Sequence, residues 1–356
     1  MIARRIFSLG VMCSLLVAAG CGRKDASGGA DREVSLNGAG ATFPYPLYSK
    51  WMAEYNKLHP EVRINYQSIG SGGGIRQITA GTVDFGATDA PMSEADEKKA
   101  SGKLLHVPTT IGAVVVAYNV PGVTGTLRLA EDVVADIFLG KIKKWNDPRI
   151  VATNEGVQLP EQNIAVVHRS DGSGTTAVFT GFLAAVSPAW KSEVGEGKSV
   201  KWPTGLGAKG NEGVTGQVKT TPGSIGYTEL AYASQNKLAV ASIKNQAGEF
   251  VEPKTEAITA AASKATLPES LHTSLANQPG SGVYPIAAYT YILVYEEAKD
   301  PAKGEALAKF LWWALHDGQK YAASLQYAPL PENVILQVEA RLKGLKAEGK
   351  PLLASP

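Results

Sequence analysis

The sequence predicts an α/β fold with strands of the parallel-sheet kind, and three observations carry that expectation. From Val34 onward, short apolar or β-branched runs alternate with amphipathic stretches of helical length. Strand, Gly-rich loop and helix follow one another three times. The 356 residues also exceed one ordinary core, which suggests two domains of about 150 residues each.

The elements are read in chain order. A strand at Glu33 to Leu36 leads through a loop at Asn37 to Thr42 into a helix from Tyr45 to Leu58. A second strand, Arg63 to Ser68, leads through Ile69 to Gly73 into a helix at Gly74 to Gly81. Val83 to Ala87 is a short strand ending in Thr88-Asp89-Ala90-Pro91, and Gly112 to Asn119 reads as a buried, parallel-type strand. Asn163 to His168 is the next strand. It runs into Arg169-Ser170-Asp171-Gly172-Ser173-Gly174 and a helix from Thr175 to Val186. Phe310 to Leu315 has the spacing of a helix packed on the core, and Lys141 to Trp145 reads as a solvated turn.

Ahead of this body, Arg4 and Arg5 precede an apolar or small run from Ile6 to Gly20, shorter than the roughly 20 residues of a membrane span. That order is an export signal. Cys21 directly after Ala18-Ala19-Gly20 resembles the lipidated cysteine of a lipoprotein, so 1–20 is expected to be removed and 21–33 to act as a tether. The expected location is therefore periplasmic or cell-surface, with the chain held to a membrane through lipid on Cys21.

Loss of Cys13 with the signal leaves one cysteine, which excludes an intramolecular disulfide or a cysteine metal site. Loss of Arg4 and Arg5 leaves 33 basic against 33 acidic residues, a balance that argues against a nucleic-acid partner. Any anion must be recognised locally.

Ligands of open α/β sheets bind beyond the carboxyl ends of the strands. The loops there are Gly38-Ala39-Gly40-Ala41-Thr42-Phe43, Gly70-Ser71-Gly72-Gly73-Gly74 and Asp171-Gly172-Ser173-Gly174-Thr175-Thr176. Free N–H groups at a helix start carry partial positive charge and suit an anion, Gly permits close backbone approach, and Ser and Thr add hydroxyl donors. Each loop alone is ordinary turn and N-cap chemistry. Their recurrence at one sheet edge marks a candidate anion site. Arg169 adds a planar fork of donors, and Asp171 is placed to brace it. Asp89 is the odd member, because a carboxylate repels an anion unless the anion brings a proton.

These motifs, with Val83-Asp84-Phe85-Gly86-Ala87-Thr88-Asp89-Ala90-Pro91, Leu139-Gly140-Lys141-Ile142-Lys143-Lys144-Trp145 and Pro222-Gly223-Ser224-Ile225-Gly226-Tyr227, resemble in order and spacing the phosphate-binding proteins of bacterial high-affinity phosphate ABC transporters, the PstS family. The resemblance runs from about Val34 nearly to the C-terminus. It implies a two-lobed periplasmic-binding-protein fold with the ligand in a cleft between the lobes, a monomer sufficing. It also implies inorganic phosphate as ligand, permease subunits of an ABC importer as partners, and no cofactor. Carried over by motif, the contacts are Thr42 (hydroxyl and amide), Phe43 (amide), Ser71 (hydroxyl), Asp89 (acceptor of the phosphate proton), Arg169 (charged fork), Ser173 (hydroxyl), and Gly174 and Thr175 (helix N-terminal amides, with the Thr hydroxyl). Asp171 orients Arg169. Lobe I is expected to comprise 34–113 plus 285–356, and lobe II 114–284. Gly72 stands where the family often has a further Ser, and His168 where it has a second Arg.

The rival readings are weaker. The chain has no G-x-S-x-G elbow and no G-x-x-x-x-G-K-[ST] phosphate loop, and its His residues at 59, 106, 168, 272 and 316 are never at metal-ligand spacing. An enzyme of phosphoryl transfer would turn over a phosphoester. A binding protein for sulfate or another oxyanion has no use for Asp89, and a pure adhesion or scaffold protein would show no phosphate-dependent stability.

Overall fold

The computed structural model describes residues 33–353. The expected signal, Cys21 and all of the tether but Glu33 lie outside the described residues.

Nine strands form the main sheet: β1 Val34–Gly40, β2 Val62–Ser68, β3 Phe85–Thr88, β4 Leu104–Asn119, β5 Ala165–Arg169, β6 Leu206–Ala208, β7 Ser224–Glu229, β8 Ala239–Val240 and β9 Ala287–Tyr295. Their order is β2-β1-β3-β9-β4-β7-β5-β6, with β8 pairing on β4. The first half is parallel where β1 joins β2 and β3, and the second where β5 joins β6 and β7. β4 is common to both halves. It pairs with β9 through Leu104 to Ala113 and with β7 through Val114 to Asn119.

All of β4's pairings are antiparallel, which corrects the parallel reading of Gly112 to Asn119. Its residues from Leu105 to Tyr118 are buried. An unbroken apolar run reports burial on both faces, and that is equally true of a central antiparallel strand covered by helices.

Helix α1, Tyr45–Leu58, keeps the expected bounds and buries Leu47, Tyr48, Trp51 and Tyr55 on one face, the 3.6-residue spacing of an amphipathic helix. Helix α2, Ser71–Thr79, begins three residues before the expected start. Three glycines disfavour helix on propensity alone. Packing overrides propensity, because a Cβ on Gly74 would lie 2.5 Å from Gly40 Cα and 2.6 Å from the Ala39 carbonyl oxygen. Only glycine lets this turn rest on β1.

Helix α3, Gly174–Val186, is capped by Ser173, whose Oγ accepts from the Thr176 amide at 3.0 Å. Helix α4, Gly210–Thr220, follows β6. Helix α5, Pro301–Leu315, starts at an Asp300 cap and buries Phe310, Leu311, Trp313, Ala314 and Leu315. In the 141–145 turn the lysines face solvent while Trp145 is fully buried, donating from Nε1 to the Gly223 carbonyl at 2.9 Å.

Candidate functional site

Helices α1, α2, α3 and α4 each begin just after the carboxyl end of a strand. In the first half, Thr42 and Phe43 lie between β1 and α1, Ser71 is the first residue of α2, and Asp89 follows β3. In the second half, Arg169 ends β5, Asp171 follows it, Ser173 caps α3, and Gly174 and Thr175 open that helix. Of these nine residues, Thr42, Phe43, Ser71, Asp89, Arg169, Ser173 and Thr175 are at most 3% exposed, Gly174 is also buried, and Asp171 is half-buried.

Direct contacts bring the two sets together. The Gly174 amide donates to Ser71 Oγ at 3.0 Å, and the Gly72 amide donates to the Gly172 carbonyl at 2.8 Å. Ser71 Oγ also accepts from the Asp89 amide at 3.3 Å and lies 3.5 Å from Asp89 Oδ2. A Cβ at Gly174 would meet Ser71 Oγ at 2.4 Å and Asp89 Oδ2 at 2.5 Å, so the approach depends on glycine. Thr42 Oγ1 accepts from Asn211 Nδ2 at 2.8 Å, and the same amide donates to Thr175 Oγ1 at 3.2 Å. Phe43 packs its ring against Tyr327, whose hydroxyl donates to the Phe43 carbonyl at 2.6 Å.

Arg169 grips Asp171 with a two-toothed pair, Nε to Oδ1 at 2.7 Å and Nη2 to Oδ2 at 2.6 Å. Its Nη1 points to Thr175 Oγ1 at 3.4 Å, so the fork is held from behind with one edge turned toward the start of α3. Burial works against ionisation of Asp171, but the Arg169 bond and charge, joined by hydrogen bonds from the Gly210 amide and its own backbone, hold the carboxyl below its ordinary value.

Asp89 behaves in the opposite way. Burial raises its carboxyl from 3.8 to about 7, while the Thr290 hydrogen bond, the Arg169 charge, Ser71 and Lys198 pull down less strongly. Thr290 Oγ1 donates to Asp89 Oδ1 at 2.9 Å, which leaves Oδ2 on the Ser71 and Gly174 side. The site thus combines hydroxyl and amide donors, one braced guanidinium and one carboxyl able to exchange a proton near neutrality. That set suits a small oxyanion that still carries a proton.

Three contributors escaped the sequence reading. Asn211 is fully buried between Thr42 and Thr175 at the start of α4, and its signal was a fourth Gly-rich strand-to-helix turn, Gly205 to Gly210. Thr290 lies mid-strand with no local cue. Lys198 reaches from the loop after the short helix Pro188–Glu193 to the Pro91 carbonyl at 2.8 Å.

The fold also gathers Glu97, His106 and His272, with one ligand-type atom from each within 4.8 Å of the others, which their sequence spacing did not foretell. The Met92 amide donates to His106 Nε2 at 3.1 Å. A neutral ring that accepts there carries its proton on Nδ1, so His106 has no lone pair left for a cation.

Two sheet halves sharing one long strand, with helix N-termini converging on a buried polar cluster between them, define a solute-binding protein of the two-lobed periplasmic class. Residues 25–317 match the model of the PBP superfamily domain. The chain is 50% identical over 312 residues to the phosphate-binding protein PstS of Pasteurella multocida, covering 87% of this chain and 90% of that one. It is 48% identical over 312 residues to PstS of Haemophilus influenzae, covering 87% and 92%. The solved phosphate-binding protein of Stenotrophomonas maltophilia superposes with a TM-score of 0.65 at 20% identity, covering 86% and 93%, a likeness of fold. The chain belongs to the PstS family of phosphate-binding proteins.

Proposed function

We propose that the protein binds inorganic phosphate in the cleft, outside the cytoplasm, and delivers it to the permease of an ABC importer without chemical turnover. The supporting observation is the pairing of Asp89 with a cluster of donors. Phosphate near neutral pH keeps at least one proton, which Asp89 accepts, while the remaining oxygens take hydrogen bonds from Thr42, Phe43, Ser71, Arg169, Ser173, Gly174 and Thr175. Several of these groups now satisfy one another, as the Gly174 amide does with Ser71 Oγ at 3.0 Å. An oxyanion inserted there exchanges those bonds for its own, so little hydrogen bonding is lost on entry.

In this reading lobe I comprises 34–113 plus 285–356 and lobe II comprises 114–284, with crossings near Val114 and Tyr284. Phosphate touches both lobes, favours the closed form and so supplies the signal that the permease reads. A monomer suffices. The export signal at 1–20 and lipid on Cys21 hold the protein at a membrane, where capture and hand-over are close together.

Calorimetric titration of the purified protein with phosphate, arsenate and sulfate tests the reading. One phosphate per chain, with arsenate binding and sulfate failing, is expected. Sulfate binding as tightly as phosphate would replace phosphate by oxyanions in general.

A further inference from the structure

We propose that Lys198 is a latch that holds the cleft closed over its ligand and sets the rate of release. Its ammonium, carried by the loop that follows the short helix Pro188–Glu193 next to α3 in the chain, donates to the Pro91 carbonyl at 2.8 Å, two residues beyond Asp89. By the lobe assignment above, that bond joins lobe II to lobe I at the rim. Among the described residues, no other lysine or arginine makes a hydrogen bond across that boundary.

The backbone of this loop is fixed to the helix that bears half of the site. The Ser173 amide donates to the Lys198 carbonyl at 2.8 Å, and the Gly197 amide donates to Thr180 Oγ1 at 3.1 Å. When α3 moves, Lys198 moves with it. Opening the cleft therefore breaks the bond from Nζ to Pro91 and leaves the bond from Ser173 to Lys198 intact. A side chain whose anchor travels with one wall and whose tip grips the other opposes separation of the walls without adding to the stability of either.

Two carboxylates, Asp96 and Asp89, act on the Lys198 ammonium. Lys198 is half-buried. Burial draws its pKa below the ordinary lysine value, while the Asp96 and Asp89 charges push it back up. Lys198 in turn lowers the Asp89 carboxyl. A cavity of about 340 Å³ beside it is bordered by His168, Arg169, Ser170, Ser199 and Trp202.

The inference rests on the phosphate reading only for its kinetic arm. Phosphate release is measured by stopped flow in the wild type, Lys198→Met, which keeps the stem and removes the donors, and Lys198→Arg, which keeps a cation of similar reach. Release from Lys198→Met is expected to be about tenfold faster, with association changed by less than about threefold, and Lys198→Arg is expected to recover most of the loss. A wild-type release rate in Lys198→Met overturns the latch. X-ray scattering of the phosphate-free proteins is the second arm, and Lys198→Met is expected to have the larger radius of gyration. If the wild type binds no phosphate, the functional reading fails and scattering alone decides, an unchanged radius overturning the latch. Should Lys198→Met fail to fold, Lys198→Gln takes its place in both arms.

Discussion

The Gly174 amide donates to Ser71 Oγ at 3.0 Å, joining the first residues of two helices that belong to opposite halves of the sheet. Both groups are donors of the kind an anion seeks, and the start of α3 has no room for a larger residue at the contact. Gly174→Ala places a carbon 2.4 Å from Ser71 Oγ and 2.5 Å from Asp89 Oδ2. Overpacking of this order costs about 1–3 kcal/mol, and here it falls on the closed form. Phosphate affinity is expected to drop by roughly tenfold or more while the melting temperature without phosphate changes little. Titration calorimetry and thermal melts separate the two effects.

Arg169 is proposed as the principal cation of the site. Hydrogen bonds to charged groups contribute about 1.5–3 kcal/mol each, and Arg169→Ala also leaves Asp171 without its partner. Phosphate binding is expected to weaken by at least roughly tenfold. Unchanged affinity at low salt would place the anion elsewhere.

Asp89 is expected to impose both selectivity and a pH dependence. Sulfate has no proton at neutral pH and would set two acceptors face to face, an uncompensated repulsion in a site that excludes water. Asp89→Asn removes the obligate acceptor, so the ratio of sulfate to phosphate affinity should rise. A variant that rejects sulfate as strongly as the wild type would assign discrimination to other groups.

The same carboxyl has a stability signature. Its folded pKa of about 7 stands above the ordinary 3.8, so the folded protein holds a proton that the unfolded chain releases. The associated stability is present below pH 4 and is lost as pH rises through 7, with an upper bound of about 4 kcal/mol. Asp171, shifted the other way, titrates below this window. Urea unfolding without phosphate at pH 5 and pH 8 should show the wild type losing stability relative to Asp89→Asn. A constant difference between the two proteins would contradict the assignment.

Cys21→Ser is expected to abolish lipid attachment. Detergent-phase partitioning of the full chain should be lost in the variant, with phosphate affinity unaltered. A wild type that stays in the aqueous phase with no lipid mass would end the anchoring idea.

The parts legible in the sequence were those whose cause is local. Ser71, Ser173 and Gly174 announced themselves because Gly, Ser and Thr at the end of a strand serve both as turn and as helix start. Arg169 and Asp171 are two residues apart, close enough for a pairing to be read directly. Thr290 and Asn211 were not legible, since each reaches the site through strand order and helix placement that no short window contains. The direction of β4 was misread for the same reason. Apolar runs record how much water a strand meets, and pairing direction is set by β9 and β7, more than 100 residues further along.

A crystal structure of the protein grown with phosphate decides whether this cluster is the binding site. A single phosphate is expected between the start of α2 and the start of α3, with one oxygen within hydrogen-bonding distance of Asp89 Oδ2 and others on Ser71, Arg169 and the Gly174 and Thr175 amides. Phosphate bound away from these groups, or bound there with Asp89 turned from it, would remove Asp89 and the converging helix starts as the phosphate site.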